Sequence, residues 1–428
     1  MRITHWRKWS GQILHRLVQR MPWYTPADTF EGGNIRNLYI ETAWFGIVNG
    51  LANTFVSVYA LRLGATTAQL GWLAALPALM NIVWLVPAAR IIERQRRRMP
   101  IILLTGFLQR LGYLGMAAMP FLAQTHRVQS LILINTLVTI PTAVINTAVT
   151  SLIPDLVSAE DRGQVVSVRW LILSATATAA ALMGGKLLDL MPVPLNYQVL
   201  FGIGTTLSLL SLYYLRRIRV SEAVRAQRVR QPGQWYSMQH LRQSLHEISA
   251  QRSFVHFAIA SFVFYWGLYL PAALWSVLRV RELGASDSWV GFLAVCIDAS
   301  TIVGYFFWGK VQARWGDRKL LLVTAIGTAI YAATTALAPN LVWLIPISIL
   351  GGLSWAGCNL ALFNQMLGVC PADHRPTYVA LYTSLINVTA FVGPLLGANL
   401  ANWVGLRPTF VLSGGIRLIG ALLFLVLG

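Results

Sequence analysis

Charged residues are scarce in this sequence. Asp, Glu, Lys and Arg together make up 11% of its 428 residues, whereas hydrophobic residues make up 56%. A soluble domain carries about 25% charged residues, so this chain has too few polar side chains to cover a globular surface. The composition therefore excludes a soluble protein and predicts a membrane protein whose principal surroundings are the lipid bilayer.

Several sequence features of enzymes and secreted proteins are also missing. The three cysteines, Cys296, Cys358 and Cys370, lie in or beside apolar runs without the spacing of a disulfide framework or a metal site. The Gly-x-x-x-x-Gly-Lys-Ser/Thr motif of nucleotide hydrolysis is absent. Residues 1–36 lack the apolar stretch and cleavage site of a secretion signal. We therefore expect no cofactor, no metal and no enzymatic activity.

Long apolar runs occupy most of the chain. A helix needs about 20 apolar residues to cross a bilayer, and a single span can satisfy its backbone in lipid only as a helix. We predict an all-α polytopic membrane protein. Its twelve transmembrane helices are expected at residues 37–61, 69–92, 100–123, 130–153, 164–190, 197–215, 253–280, 288–309, 320–338, 341–368, 377–403 and 408–428.

The positive charges are distributed unevenly over the predicted connections. One side of the membrane receives 24 Lys and Arg residues, and the other receives five. The positive-inside rule makes the richer side cytoplasmic, so we predict an inner (cytoplasmic) membrane protein with both termini in the cytoplasm. We call this side the inner face and the opposite side the outer face. Since topology explains the net charge of +19, no nucleic-acid partner is expected.

The chain divides into two helical bundles and two basic segments. Residues 1–36 place apolar residues at helical spacing among arginines, which suits either an amphipathic helix on an anionic membrane or a loosely ordered tail. Residues 216–252 are expected to form a basic cytoplasmic linker. The six-helix bundles are residues 37–215 and 253–428.

The two bundles are related by an internal repeat. When the sequence is shifted by 220 residues, segment 63–98 aligns with segment 283–318, and ten of its 36 positions are identical. The identical positions include glycines and arginines at unchanged spacing. The shift is close to half of the chain, which predicts two parallel repeats of six helices, one of the known transporter plans.

Two loops at equivalent places in the repeats resemble the signature of the major facilitator superfamily. That signature is a glycine, acid and arginine motif between helices two and three, and it recurs in weaker form between helices eight and nine. The two copies here read Ala89-x-x-x-Glu93-Arg94-x-Arg96-Arg97-Arg98 and Gly309-x-x-x-Ala313-Arg314-x-Gly316-Asp317-Arg318-Lys319. The first copy keeps the acid without the glycines, and the second keeps the glycines without the acid. The run Gly393-Pro394-Leu395-Leu396-Gly397 is also similar to the family.

The resemblance implies a secondary transporter that works by alternating access, with these loops as a cytoplasmic latch. Arginines four residues apart lie on one helix face and can pair with acids or with helix C-terminal carbonyls of a neighbouring bundle. The expected gate residues are Glu93, Arg94, Arg98, Arg314, Asp317 and Arg318. A positive cluster that only sets topology is the alternative. Residues 309–319 are expected to form a short turn between helices eight and nine.

Acids inside the spans are costly in lipid and are therefore functional candidates. Asp298 lies near mid-depth in helix eight and could couple transport to protons; a structural hydrogen bond or a partner arginine is the alternative. Glu41, about one turn inside helix one, could be a relay acid or an interfacial anchor. Arg110 and Arg417 share the depth of Asp298, but the family arrangement puts their helices away from the central cavity.

Polar and aromatic residues at helical spacing predict a substrate cavity. In the family, helices one, four, seven and ten line this cavity. The binding candidates on those helices are Asn49, Asn53, Asn135, Thr139, Asn146, Tyr265, Trp266, Tyr269, Trp355 and Asn359. Packing between helices is the alternative role for small polar residues. Such a lining suits a neutral or cationic amphipathic compound, or a sugar. It offers no dense cationic cluster for a polyanion, although Arg110 and Arg169 keep that alternative open.

These patterns predict a monomeric secondary transporter of a small molecule, with the proton as its coupling ion. By resemblance we favour efflux of an amphipathic compound or a sugar. There are two alternatives. One is a transporter-like sensor that no longer moves a substrate, and the other is a polytopic membrane transferase. A transferase would need a catalytic cluster of His, Asp or Ser in a loop at a membrane face. The one polar loop cluster of that kind, around His374, is better interpreted as a turn-and-cap element.

Overall fold

The structure is a computed structural model that describes residues 30–93, 98–122, 126–157, 161–219, 251–370 and 375–427. Every regular element within these ranges is a helix. Most of the predicted N-terminal amphipathic segment and of the predicted linker, as well as the turn around His374, lie outside the described residues.

The helices are numbered α1 to α12 in chain order. The N-terminal half contains α1 (Phe30–Ala52, continued after a short break by Val56–Arg62), α2 (Thr67–Glu93), α3 (Arg98–Leu122), α4 (Arg127–Leu156), α5 (Arg162–Asp189) and α6 (Leu195–Arg216). The C-terminal half begins with α7 (Arg252–Tyr269, continued by Leu274–Ser276 and the π-helical Val277–Glu282). α8 and α9 are the two arms, 287–315 and 317–337, of the helical stretch Asp287–Leu337. The half ends with α10 (Leu344–Val369), α11 (Arg375–Val404) and α12 (Leu406–Leu427).

The prediction of an all-α multi-pass membrane protein is confirmed. Among the described residues, 10 helices are long and apolar enough to cross a membrane when Asp287–Leu337 is counted once. A bend at Gly316 divides that stretch into two arms. Thr67–Glu93 has 27 residues and two internal prolines but is not one of the ten. The crossing of the membrane by α2, and with it the count of twelve spans, therefore stays a prediction.

The predicted turn at residues 309–319 is wrong in its extent. The chain is helical on both sides of Gly316, and the change of direction is confined to that residue, whose φ is 75°. L-residues rarely adopt this backbone conformation, and a Cβ at Gly316 would meet nothing within 4 Å. Conformation rather than crowding therefore requires the glycine. The start of helix one was also predicted too late, because α1 already begins at Phe30 and buries Ile35.

The two halves repeat the same contacts. In the N-terminal half α1 contacts α5 and α6, and α3 contacts α4 and α6. In the C-terminal half α7 contacts α11 and α12, and α9 contacts α10 and α12. Each contact thus recurs six helices later, as the sequence repeat predicts. The two halves are in contact through two pairs of helices: α2 contacts α11, and α5 contacts α8.

Among the described residues, the apolar core that joins the halves lies on the outer face. One cluster of buried residues there combines N-terminal residues such as Tyr59 and Tyr197 with Val277 and Val290 of the C-terminal half. Towards the inner face the described core residues fall into two separate clusters. One belongs to the N-terminal half and the other to the C-terminal half. The described core and the contacts between the halves therefore close the structure on the outer face.

Candidate functional site

A cavity of about 650 Å³ lies in the N-terminal half among α1 to α5. Its polar lining is rich in carboxamides and hydroxyls, namely Asn49, Asn53, Asn81, Gln109, Asn135, Asn146, Ser57, Thr139, Thr142 and Thr150. Its apolar and aromatic lining includes Phe45, Leu73, Tyr113, Met116 and Trp170. Arg169 is the one charged residue among the described lining residues. The cavity is therefore amphipathic, with a single positive charge.

Helical spacing on α4 produces one wall of this cavity. Asn135, Thr139, Thr142 and Asn146 follow one another at three- and four-residue steps, so they share a face, and all of them line the cavity. Thr150 extends the same face. At 1.5 Å rise per residue, Asn135 and Thr150 lie about 22 Å apart along the axis. The wall therefore follows α4 through much of the membrane.

Some of the cavity carboxamides retain free hydrogen-bonding capacity. Gln109 Nε2 donates to Thr142 Oγ1 at 2.9 Å, and the side chains of Asn49 and Asn53 bond to each other. By contrast, the side chains of Asn81 and Asn146 make no hydrogen bond with another part of the chain that the structure describes. Polar groups exposed to a cavity in this way can bind water or a polar solute.

A buried charged network lies directly behind the cavity wall. Glu41, only 4% exposed, accepts hydrogen bonds from Ser211 Oγ at 3.1 Å and Thr42 Oγ1 at 3.3 Å. Arg110, 2% exposed, donates Nη2 to the same Ser211 Oγ at 3.0 Å and Nη1 to Gln109 Oε1 at 2.8 Å. Glu41 also interacts electrostatically with Arg110 and Arg169. Gln109 links this network to the cavity.

Arg169 connects the network to the cavity at a second point. Its Nε donates to Thr42 Oγ1 at 3.1 Å. Among the described residues this is the only hydrogen bond of the Arg169 side chain. The two terminal nitrogens of the guanidinium are therefore available to a solute in the cavity. Sequence reasoning had singled out Glu41 but had not placed Gln109 or Asn81 at the site.

The predicted binding residues of the C-terminal half lie elsewhere. Tyr265, Trp266, Tyr269, Trp355 and Asn359 are not among the residues that line the described cavity. Tyr265 is buried in the C-terminal core and stacks on Tyr269, with ring centroids 5.9 Å apart. Asn359 is exposed and donates to the Tyr305 hydroxyl at 2.8 Å. A role of these residues in binding stays a prediction.

Asp298 lies at the boundary between the halves. Its carboxylate accepts a hydrogen bond from Thr178 Oγ1 of α5 at 3.1 Å. It does not line the described cavity. The α5–α8 boundary is held close by small residues: a Cβ on Gly291 would collide with the Ala181 carbonyl, and one on Gly185 would lie 2.6 Å from the Asp287 carbonyl oxygen. Backbones that meet this closely are typical of membrane helix interfaces.

A polar latch on the outer face was missed by sequence reasoning. The Asp189 carboxylate at the end of α5 accepts from the backbone nitrogens of Asp287, at 3.0 Å, and Ser288, at 3.2 Å. It thus caps the N-terminus of α8 from the opposite half. The Asp287 carboxylate in turn accepts from the Tyr197 hydroxyl at 2.7 Å and lies 3.7 Å from Arg62 Nη2.

Two arginine-to-carbonyl contacts complete the outer latch. Arg62 donates to the Ala285 carbonyl at 3.0 Å, and Arg281 donates to the Ala65 carbonyl at 2.9 Å. Every described hydrogen bond between the halves lies in this latch or at Thr178 and Asp298. The local sequence of neither half indicates this latch, because its partners are far apart in the chain.

The predicted cytoplasmic gate is only partly described. Arg94 lies outside the described residues, and the side chain of Glu93 is not described. Arg98 begins α3. In the second copy Arg314 is exposed, and Asp317 accepts from Gln312 Nε2 at 2.7 Å. Arg318 donates to the Leu425 carbonyl of α12. The described hydrogen bonds of the second copy therefore stay within the C-terminal half, and the gate stays a prediction.

The fold and site together define a two-repeat helical membrane protein with a solute-sized cavity. Its sequence matches the family model described as "Major Facilitator Superfamily" over residues 42–256 and 257–428. Because these two matches cover most of the chain and divide within α7, the first helix of the C-terminal half, the chain belongs to the Major Facilitator Superfamily.

Sequence relatives and solved structures agree with this assignment. The chain is 27% identical over 174 residues to the multidrug resistance protein MdtG of Proteus mirabilis (strain HI4320), covering 37% of this chain and 42% of that protein. It is 24% identical over 148 residues to the multi-drug resistance efflux pump PmrA of Streptococcus pneumoniae serotype 4, covering 34% and 37%. These alignments span about two fifths of the relatives' own length.

The structural similarity extends over nearly the whole chain. A D-xylose-proton symporter has a TM-score of 0.70 and 14% identity, covering 91% of this chain and 96% of that chain. A bacterial homologue of the iron transporter ferroportin in an inward-facing state has a TM-score of 0.73 and 15% identity, covering 92% and 98%. At these identities the similarity establishes the fold alone.

Proposed function

We propose that this protein is a secondary active transporter of the cytoplasmic membrane that exports a small molecule by alternating access. The observation that carries the proposal is the cavity of about 650 Å³ beneath an outer face where the two halves are bonded together. A cavity of this size accommodates a small organic solute. The described core residues near the inner face form no cluster shared by the two halves, so we expect the cavity to communicate with the cytoplasm.

The amphipathic lining supports an amphipathic compound or a sugar as the substrate class. The names of the relatives MdtG and PmrA refer to multidrug resistance and efflux, which favours export over import for this chain. The unequal distribution of Lys and Arg supports an orientation with both termini in the cytoplasm. The outer latch would then open to the exterior during the transport cycle.

Asp298 is our preferred proton-coupling residue. Its carboxylate bonds to Thr178 across the α5–α8 boundary, and that boundary must separate when the outer face opens. Opening therefore changes the surroundings of the carboxylate, which links its proton affinity to conformation. Glu41 is bonded to Thr42 and Ser211 of its own half, so rocking of the halves leaves those bonds in place.

Transport assays in proteoliposomes test this proposal. Purified protein is reconstituted with an imposed pH gradient, and the accumulation of fluorescent or radiolabelled solutes is followed with and without an uncoupler. We expect uncoupler-sensitive movement of at least one amphipathic compound or sugar. Binding without any movement, in the presence or absence of a gradient, would instead identify a transporter-like sensor. Loss of gradient-driven transport with retained counterflow in Asp298→Asn is the expected sign of proton coupling at that residue.

A further inference from the structure

The charges described around the cavity are unbalanced. The buried network contains the cations Arg110 and Arg169 and the carboxylate Glu41. No other described lining residue of the cavity is charged. A net positive charge inside a membrane protein is costly unless a counter-ion balances it. The binding of an anion in the cavity would supply this balance.

Arg169 is the residue that could receive such an anion. It lines the cavity, while Arg110 lies behind the wall with hydrogen bonds to Ser208, Gly106, Gln109 and Ser211. Arg169 has one described hydrogen bond, from Nε to Thr42, so both of its terminal nitrogens can donate. A guanidinium in this situation suits a carboxylate, because two parallel N–H donors match its two oxygens.

The remainder of the lining indicates the rest of the ligand. Asn81 and Asn146 offer carboxamides without described protein partners, which suits hydroxyl or carbonyl groups. Phe45, Tyr113 and Met116 offer an apolar surface. A lipophilic cation would have no carboxylate to pair with among the described lining residues, and it would meet the positive charge of Arg169. A polyanion would find a single available guanidinium.

We propose that this cavity binds an amphipathic organic anion whose carboxylate pairs with Arg169 and whose polar groups bond to the cavity carboxamides. This inference rests on the proposed function, since it names the class of solute that the transporter would carry. It also predicts that Thr42 positions Arg169 for the ligand, because the Nε–Thr42 hydrogen bond fixes which edge of the guanidinium faces the cavity.

Matched ligand sets test the charge preference directly. The first set is 4-phenylbutanoate, 4-phenylbutanamide and 4-phenylbutylamine, which share one apolar body. The second is glucuronate, glucose and glucosamine, which share a hydroxylated pyranose ring. Binding to the purified full chain is measured by equilibrium dialysis. We expect the carboxylate of at least one set to bind about tenfold or more tightly than its neutral and amine counterparts, since charge-assisted hydrogen bonds are strong.

Four variants separate ligand pairing from a structural role. Arg169→Gln is expected to abolish the carboxylate preference, and Arg169→Lys to retain part of it because the charge remains. Arg252→Gln, which removes an exposed arginine at the start of α7 in the C-terminal half, should leave the preference unchanged. Thr42→Val should weaken carboxylate binding without reversing the order of the three ligands. Gel-filtration profiles and thermal unfolding check that each variant is folded.

Several outcomes would overturn the inference. It is wrong if neither carboxylate binds more tightly than its neutral and amine counterparts, or if Arg169→Gln keeps the carboxylate preference. Counterflow of the best carboxylate in proteoliposomes then separates the two proposals. Binding without counterflow refutes transport while the ligand class stands. Transport of cationic or neutral solutes with no carboxylate binding refutes the ligand class while transport stands.

Discussion

Replacing Gly185 by leucine should force the outer face open. In the present state a Cβ at this position would lie 2.6 Å from the Asp287 carbonyl oxygen and 3.0 Å from the Ser288 Cα. These are backbone atoms at the N-terminus of α8, so they cannot move aside as a flexible side chain can. A leucine can be accommodated only if α5 and α8 separate, and they belong to opposite halves of the protein.

The size of the effect follows from the cost of overpacking. Extra atoms in a well-packed contact cost about 1–3 kcal/mol. This cost applies to the outer-closed state, because separation of the halves removes α8 from Gly185. Since about 1.4 kcal/mol corresponds to a tenfold change in an equilibrium constant, the ratio of outer-closed to outer-open protein should fall by roughly 5- to 150-fold.

Cysteine accessibility provides the assay. Ser57 lines the cavity, and Ser57→Cys is introduced after Cys296, Cys358 and Cys370 are replaced by alanine. A membrane-impermeant maleimide is added to intact cells, where it reaches the outer face, or to everted vesicles, where it reaches the inner face. We expect labelling from the inner face in the parent, and a clear gain of labelling from the outer face with Gly185→Leu.

Gly202→Leu is the matched control. Gly202 lies in α6 of the same half, and a Cβ there would meet nothing within 4 Å. It adds the same side chain without touching α8, so labelling should stay as in the parent. Equal outer labelling of the two leucine variants, or an unchanged pattern in a folded Gly185→Leu protein, would refute the argument that this contact holds the outer face closed.

Three further predictions follow from the same structure. Asp189→Asn weakens the cap on α8 and should raise outer labelling of Ser57→Cys about tenfold, whereas Glu282→Gln, whose ion pair with Arg407 stays within the C-terminal half, should not. Glu41→Gln removes the carboxylate of a buried network and should lower the free energy of unfolding by about 3–5 kcal/mol, measured by thermal unfolding in detergent; an unchanged Tm would contradict the network's described role. Gly316→Ala should cost about 1–3 kcal/mol because φ there is 75°, whereas Gly309→Ala, at a position with ordinary φ and open space, should cost much less.

The fold could be predicted because the sequence features that indicate it extend over many residues. Apolar runs of membrane-spanning length and a repeat of 220 residues depend on many positions at once, so single errors cancel. Turn placement was less reliable at 309–319. There the polar and basic residues suggested a loop, but a helix that leaves the membrane can remain helical in water, and only the backbone of Gly316 departs from helical geometry.

The candidate site was predictable where it depends on spacing within one helix. The face of α4 that contains Asn135 and Asn146 could be derived from helical periodicity, because its members are close in sequence. The outer latch could not be derived in this way. Asp189 and Asp287 are brought together by the docking of two bundles, 98 residues apart in the chain, and nothing in either local sequence indicates the partner.

The two halves also show why one sequence repeat can lead to unequal roles. Arg110 joins α3 to α6 in the N-terminal half, and Arg417, 1% exposed, joins α12 to α7 and α9 in the C-terminal half. Because α3 and α6 correspond to α9 and α12, both arginines occupy the same junction of the repeat.

The partners of the two arginines differ. The described hydrogen bonds of Arg417 go to the carbonyls of Gly267 and Thr328, which cannot gain or lose a proton. Arg110 shares Ser211 with the carboxylate of Glu41, which can. The junction in the N-terminal half, where the cavity lies, therefore contains a group whose charge a proton can change, whereas the described hydrogen-bond partners of Arg417 include none.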